Sequence, residues 1–183
     1  MLKRALAIIA VSGIVASPAS AHGVSSLKVL ETAKPYAPYE FLIGDWYATL
    51  KEENVVVHQQ FGWGPGKATM TDATYVVVPG KSEHLHFGGT MLWNPVSKAL
   101  DYLFAVEPGS GVEERGTFAA QPDGTIIREV EAIYPDGKVV KSRQVFRPLP
   151  DGTFSMDLLS GTTGGWASTL PNGPMIFSKT APQ

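Results

Sequence analysis

The chain contains no cysteine among its 183 residues. Without cysteine it can form neither a disulfide nor a thiolate metal site, so its stability has to come from packing. After the N-terminal stretch, no segment is apolar and long enough to suggest a transmembrane helix. An excess of one charge is also missing, since 15 basic residues stand against 17 acidic ones. About 160 residues remain after the N-terminal stretch, which is enough for one domain that folds by burying apolar surface.

The N-terminus has the pattern of a secretory signal peptide. Lys3 and Arg4 form a basic start, "ALAIIAVSGIVA" is an apolar stretch, and small residues end at Ala21. We therefore expect residues 1–21 to be a signal peptide cleaved near Ala21, and residues 22–183 to form one periplasmic or secreted domain. The mature chain has 13 basic and 17 acidic residues, a formal charge of −4. That charge disfavours nucleic acid and anionic membranes as partners, and we expect no membrane insertion of the mature chain.

The rest of the chain shows hairpin turns at near-regular intervals. Residues 25–34 are predicted to form one short helix that Pro35 and Pro38 end. After it, turn signals separate runs of β-branched and aromatic residues, which predicts consecutive strands. Three of the turns read Pro-Asp-Gly, in which proline presets a type I turn and glycine takes the left-handed position. They lie at 122–124, 135–137 and 150–152.

These turns predict which residues face each other across neighbouring strands. Glu129 is expected opposite Arg143, Glu131 opposite Lys141, and Arg115 opposite Glu131. Such cross-strand ion pairs lie in water, so they identify the outer face of the sheet.

The opposite face of the same strands is apolar, with one exception. Arg128 is predicted to lie on it between Phe118 and Gln144. Alternation does not show which face of strand 67–78 points inward, because Tyr75 and Val77 lie on one face and Met70, Val76 and Val78 lie on the other. By alternation, the other inward residues are Trp46, Ala48, Leu50, Val55, Val57, Phe61, Trp63, Leu85, Phe87, Met91, Trp93, Leu100, Tyr102, Phe104, Ala120, Ile126, Val130, Val140, Phe146, Phe154, Met156 and Leu158.

A long meander with one apolar and one charged face has to curl to bury the apolar one. Sequential hairpins after one leading helix favour a single antiparallel up-and-down barrel of about ten strands. A β-sandwich of two sheets is the alternative. We therefore expect an all-β domain with a short N-terminal helix.

The stretch "FLIGDW", with Gly44 and Trp46, resembles the first-strand Gly-x-Trp of the lipocalin-like (calycin) barrels, which follows a short N-terminal helix. Together with "TMLWNPVSKALDYLF" as a hairpin around Asn-Pro, the layout over residues 36–180 is similar to that of a family of uncharacterised bacterial exported lipocalin-like proteins. The resemblance implies structural roles for Gly44 and Trp46, with a basic residue of a late strand over the tryptophan. Lys179 is the matching candidate, and Arg147 is the alternative.

The resemblance does not imply haem or another cofactor. A similar ten-stranded haem-binding barrel uses a late histidine as the iron ligand, and here no histidine follows His86. His84 and His86 occupy alternate positions of one strand, but hydrophobic alternation places both on the outer face. Two histidines without a third ligand do not make a zinc or copper site, so we expect no metal.

Arg128 is the most informative candidate residue, because a buried guanidinium requires a partner. It can anchor a ligand carboxylate through a bidentate pair, or it can be structural and extend to the rim of the barrel. Glu114 also projects inward, four residues from Phe118 along its strand.

We expect an exported protein that binds a small apolar or amphipathic ligand, which can carry a carboxylate, inside the barrel. The alternatives are an enzyme with Glu114, Tyr102 or a histidine as acid–base group, and an interaction barrel whose core is filled. No catalytic residue is assigned, and the oligomeric state stays open. The predicted ligand contacts are Arg128, Gln144, Tyr102, Phe104, Phe118, Trp63, Trp93, Phe146 and Met156.

Overall fold

The computed structural model describes residues 34–50 and 54–182. The predicted signal peptide, and all but the last residue of the helix predicted over 25–34, lie outside the described residues. Within them the chain forms eleven strands and two 3₁₀ helices. The strands are β1 (Gly44–Leu50), β2 (Val55–Trp63), β3 (Met70–Val77), β4 (His84–Asn94), β5 (Ala99–Val106), β6 (Val112–Ala120), β7 (Ile126–Ile133), β8 (Val139–Pro148), β9 (Phe154–Thr162), β10 (Gly165–Ser168) and β11 (Met175–Phe177), and the helices are Lys34–Leu42 and Pro65–Lys67.

The helix Lys34–Leu42, called the N-terminal 3₁₀ helix below, shows that one prediction was wrong. Pro35 and Pro38 were expected to end helical structure, but both lie within this helix. Proline holds φ near about −65°, which is within the 3₁₀ range, so the ring is compatible with this backbone. The segment is therefore helical where strands were expected to begin.

The strands form one antiparallel meander, as predicted. Each strand from β1 to β10 pairs with the next, and β11 pairs with β9. The Pro-Asp-Gly turns place Gly124, Gly137 and Gly152 at φ values of 82°, 83° and 82°, in the left-handed region. At the first of these turns the backbone N–H of Gln121 donates to the oxygen of Thr125 over 2.7 Å, which closes the hairpin.

The predicted register of the outer face is confirmed. Arg143 Nη2 lies 2.5 Å from Glu129 Oε1, and Lys141 Nζ lies 2.9 Å from Glu131 Oε1. Arg115 Nε lies 3.6 Å from Glu131 Oε2 on the other side. Strands β6, β7 and β8 therefore show their charged face to water.

The C-terminal segment lies between the two ends of the strand order. Both β10 and β11 pair with β9, and residues 169–174 interrupt them. Just after β11, Ser178 forms an isolated bridge with Tyr47 of β1, with N–O distances of 2.8 and 3.0 Å. The strand ladders themselves form an open series.

The inner face holds the apolar core, and the N-terminal 3₁₀ helix covers one end of it. Tyr36, Tyr39 and Leu42 of this helix are buried. The Tyr39 hydroxyl donates to the oxygen of Phe118 over 2.8 Å and accepts from the N–H of Ala120 over 3.1 Å. We call this the helix end of the sheet.

The opposite end, where the turns 107–111 and 134–138 lie, is called the open end. Along β8 the inner side chains change from 0% exposed at Phe146 to 36% exposed at Val140. Leu158 of β9 is partly exposed in the same way, whereas Phe154 is buried. The inner face is thus sealed at the helix end and becomes exposed toward the open end.

The structure changes the prediction of which side chains face inward in two strands. In β3, whose inner face alternation did not identify, Met70, Asp72 and Thr74 point inward. Leu85 was predicted to face inward, but a bulge pairs it with Tyr75 on the outer face. A bulge inserts one residue into a strand and thereby shifts the alternation beyond it.

Candidate functional site

Arg128 lies in the centre of the inner face, on β7. It alternates with Ile126 and Val130, which are both buried, so the pleat turns all three side chains inward. The register places it between Phe118 and Gln144, as predicted. Its side chain is 0% exposed, and so it does not extend to water at the rim.

Asp72 of β3 neutralises the charge of Arg128. Arg128 Nη2 forms an ion pair with Asp72 Oδ2, and both side chains are fully buried. Gln144 Oε1 accepts a hydrogen bond from Arg128 Nη1 over 3.1 Å, and Gln59 Nε2 donates to Asp72 Oδ2 over 3.1 Å. Such hydrogen bonds are what a buried ion pair needs to offset its loss of hydration. These four side chains are called the polar layer below.

Five aromatic rings surround the guanidinium, with centroids 4.9 to 5.9 Å from Arg128 Cζ. Rings at this distance attract a cation and exclude water from it. The rings are Phe87, Tyr102, Phe104, Phe118 and Phe146. Four of these rings are predicted ligand contacts, and together with Gln144 they make five predicted contacts that touch the arginine.

Burial raises the pKa of Asp72, and the adjacent Arg128 acts against this rise. Sequence reasoning missed Asp72 because the inner face of strand 67–78 could not be identified. A usable signal was present, since a buried arginine requires a carboxylate and Asp72 is the acidic residue of that strand.

Glu114 of β6 is a second carboxylate on the inner face, nearer the open end. It pairs with Phe104 on one side and Ala132 on the other. Its Oε2 atom is buried and has no hydrogen-bond partner within the described part of the chain. Burial raises the pKa of Glu114, while the charges of Arg128 and His86 act against the rise.

Three further buried polar atoms of the inner face lack a hydrogen-bond partner among residues 34–50 and 54–182, as does Arg143 Nε on the outer face. The three inner atoms are Gln59 Oε1, Thr74 Oγ1 and Arg128 Nε. Gln59 and Thr74 are cross-strand neighbours, and Arg128 reaches the same region through Asp72. The inner face therefore presents both acceptors and a donor around the polar layer.

The remaining predicted ligand contacts lie elsewhere. Trp63 and Trp93 are partly buried at the helix end, where the Tyr36 ring meets Trp63 edge-on at 5.7 Å. The N–H of Trp93 donates to the Tyr36 hydroxyl over 3.0 Å. Met156 is buried opposite Phe146. These three residues therefore do not lie beside Glu114, which is nearer the open end.

Gly44, Trp46 and Lys179 meet at the start of β1. Trp46 Nε1 donates to the oxygen of Leu42 over 2.6 Å, and Lys179 Nζ lies 5.0 Å from the Trp46 ring centroid. Gly44 has a φ of 122°, in the region that favours glycine. Arg147 is exposed and pairs with Ser155. The trio connects β1 to the N-terminal 3₁₀ helix and to the C-terminus.

Tyr102, a candidate acid–base group, donates its hydroxyl to the oxygen of Glu129 over 2.9 Å. Burial raises the pKa of Tyr102, which favours the neutral phenol. His84 was expected on the outer face, but the bulge pairs it with the inward Val76, and it is exposed there. His86 Nδ1 lies 3.4 Å from Glu107 Oε1. In the described part of the chain, no three His, Asp or Glu side chains are placed to hold a metal ion.

His58 lies in an outer cluster that sequence reasoning did not identify. Its Nε2 lies 2.9 Å from Asp45 Oδ1 and its Nδ1 lies 2.6 Å from Glu83 Oε1. The imidazole stacks between Tyr47 at 4.5 Å and Tyr75 at 5.4 Å. We call these five residues the His58 cluster.

One groove on the surface is not lined by Arg128. It has a volume of about 1000 Å³ and lies between residues 47–50 of β1 and the segment 169–176. None of the predicted ligand contacts lines it.

Over residues 34–50 and 54–182, no helix has the length and apolar character needed to cross a membrane.

Comparisons with known proteins give no family for this chain. No protein-family model matches it, and no curated protein is significantly similar to it.

Proposed function

We propose that this protein binds a small apolar or amphipathic molecule at the open end of its inner face. The observation that carries the proposal is the asymmetry of burial along the strands. At the helix end most inner side chains are buried, Phe118 and Phe154 completely, whereas Leu50, Val106 and Leu158 remain partly exposed toward the open end. Exposed inward apolar surface above a packed base is what a ligand pocket requires.

We further propose that the sheet is an up-and-down barrel of the lipocalin-like type. The Tyr47–Ser178 bridge supports this arrangement, because Ser178 directly follows β11, which in turn pairs with β9. A continuous contact of β1, β11 and β9 would close the series of strands into a ring and leave no unprotected edge. A β-sandwich is the alternative architecture.

In this proposal Arg128 supports the site and does not bind the ligand directly. Its charge is already matched by Asp72, and its side chain has no exposed surface. The polar layer and its aromatic rings would form the rigid base of the pocket. Export by the N-terminal signal peptide would place this pocket in the periplasm or outside the cell.

The test uses N-phenyl-1-naphthylamine, an uncharged apolar probe that fluoresces when bound. Ala132 faces inward near the open end and is partly exposed, so Ala132→Trp should fill the pocket and lower probe affinity by at least about tenfold, the loss expected when the ligand's apolar surface is displaced. Ala105→Trp, on the exposed outer face, is the matched control and should bind like the parent.

Equal probe binding by both tryptophan variants would overturn the location of the site. Failure of the parent protein to bind the probe would favour the second candidate, an interaction barrel with a filled interior. One observation supports that candidate: the ion pair and its five rings already occupy the centre of the inner face.

A further inference from the structure

We propose that the open end of the inner face recognises a protonated amine, and that Glu114 is the group that pairs with it. The inference rests on the proposed ligand-binding function and specifies the chemistry of the ligand. It follows from the charges on the inner face, from the unpartnered atoms there, and from their order along the strands.

The charges on the inner face do not balance. Asp72 and Arg128 form a pair, which leaves Glu114 as a second carboxylate, and the inner positions of the described strands hold no lysine or arginine besides Arg128. His86 of β4 is close to Glu107, with 3.4 Å between Nδ1 and Oε1, and His84, which pairs with Val76 beyond the bulge, is exposed. A ligand cation would therefore meet one uncompensated carboxylate.

The hydrogen-bonding groups also favour a donor on the ligand. Glu114 Oε2 and Gln59 Oε1 are buried acceptors without a partner in the described part of the chain, and Gln59 is only 2% exposed. A buried polar atom that stays unpaired costs free energy, so a ligand that donates to it gains affinity. An ammonium group offers three donors together with the required charge.

A carboxylate ligand would bind less tightly than an amine at the same place. It would approach Glu114 and Asp72, which are both acidic, while the one basic partner available, Arg128, is already engaged by Asp72 and Gln144. Like charges that are held close in a poorly hydrated site repel each other strongly. The ligand would also encounter Glu114 first, because Glu114 is partly exposed and the polar layer below it is not.

The experiment compares three twelve-carbon ligands that differ in the polar group: dodecylamine, dodecanol and dodecanoate. Each competes, below its micellar concentration, with bound N-phenyl-1-naphthylamine at pH 7. Dodecylamine should displace the probe at a concentration about tenfold or more below that of the other two, the ratio that one charge-assisted hydrogen bond produces. Glu114→Gln should abolish this preference, and Glu114→Asp, which keeps the charge, should retain part of it.

Glu113→Gln is the matched control, since Glu113 is the neighbouring acidic residue and is exposed on the outer face. It should keep the full preference for the amine. Displacement by dodecanoate at concentrations equal to or below those of dodecylamine would overturn the inference, and so would an equal loss of preference in Glu113→Gln and Glu114→Gln. In both cases probe binding itself would persist. Absence of probe binding to the parent protein would instead refute the proposed function, and the inference with it.

Discussion

Charged residues on the two faces of this sheet differ in how much each contributes to the stability of the fold. On the outer face, both partners of a pair such as Arg115 with Glu131 are hydrated when the pair is broken. Pairs of this kind contribute about 0–1 kcal/mol to the free energy of unfolding. On the inner face, neither Asp72 nor Arg128 can be rehydrated when its partner is removed. Burial therefore decides which of the chemically similar pairs matters for stability.

Replacing Arg128 by methionine should lower the free energy of unfolding by about 3–5 kcal/mol, because Asp72 is then left buried without its cation. The double variant Asp72→Leu/Arg128→Met should recover much of that loss, since it buries no unmatched charge. Urea unfolding, followed by tryptophan fluorescence, measures both. Arg115→Met is the control on the outer face and should change stability by less than about 1 kcal/mol.

A loss below about 1 kcal/mol in Arg128→Met would contradict the ion pair as the centre of the core. A double variant as unstable as the single one would show that the polar layer is required for packing beyond its charge balance.

The His58 cluster makes stability depend on pH. Burial lowers the pKa of His58, but the hydrogen bonds with Glu83 and Asp45 outweigh burial, and the net direction is upward. A pKa that is raised in the folded state stabilises the fold fully below the unfolded value of about 6.5, and the effect is lost as pH rises through the folded pKa. His58→Gln should therefore destabilise the protein more at pH 5.5 than at pH 8.5, by up to about 1 kcal/mol for pairs this exposed.

The melting temperatures of the parent and His58→Gln, measured across this range, test the expectation. His84→Gln is the matched control, because His84 is exposed and lies outside the cluster. A difference between parent and His58→Gln that is larger at pH 8.5 would reverse the sign and refute the role of the two carboxylates.

The hairpin turns determine register at the scale of the element. Gly137 has a φ of 83°, and a Cβ added to it would meet no atom within 4 Å. Gly137→Ala should therefore cost about 1–2 kcal/mol of unfolding free energy through backbone strain alone. Gly161→Ala serves as the control, since Gly161 also has free space around it but lies outside the left-handed region, and it should be nearly neutral. Equal stability of the two variants in urea unfolding would contradict the strain argument.

The N-terminal 3₁₀ helix gives the sheet its two unlike ends. Its Tyr39 hydroxyl donates a hydrogen bond to the oxygen of Phe118 over 2.8 Å and accepts one from the N–H of Ala120 over 3.1 Å. Those backbone groups lie at the end of β6, where Phe118 is the last residue paired with β5. One short helix thus seals the core and leaves the opposite end accessible.

For the whole molecule, the proposed function assigns separate tasks to the packed half and the exposed half of the inner face. The aromatic rings, the polar layer and the N-terminal 3₁₀ helix supply stability that a chain without cysteine cannot take from disulfides. Toward the open end, inner residues such as Leu50 and Leu158 remain partly exposed, and the proposed ligand would cover them. Ligand binding should accordingly stabilise the fold, since it favours the folded state over the unfolded one.

Sequence reasoning predicted most of the strand pairing and little of the site. The turn spacing placed Glu129 opposite Arg143 and Arg128 between Phe118 and Gln144, because hairpin loop length determines register locally. It did not identify Asp72, whose strand alternates ambiguously, and it placed Leu85 on the wrong face because a bulge leaves no reliable trace in hydrophobic alternation.

By itself, the sequence determined the all-β meander, its turns and its charged outer face, since these depend on alternation and on the backbone preferences of proline and glycine over short distances. Only the fold shows that Arg128 is paired, that Glu114 Oε2 has no hydrogen-bond partner among the described residues, and that one end of the inner face is sealed. Asp72 and Arg128 are 56 residues apart in the chain, and only the folding of β3 against β7 brings their charges into contact.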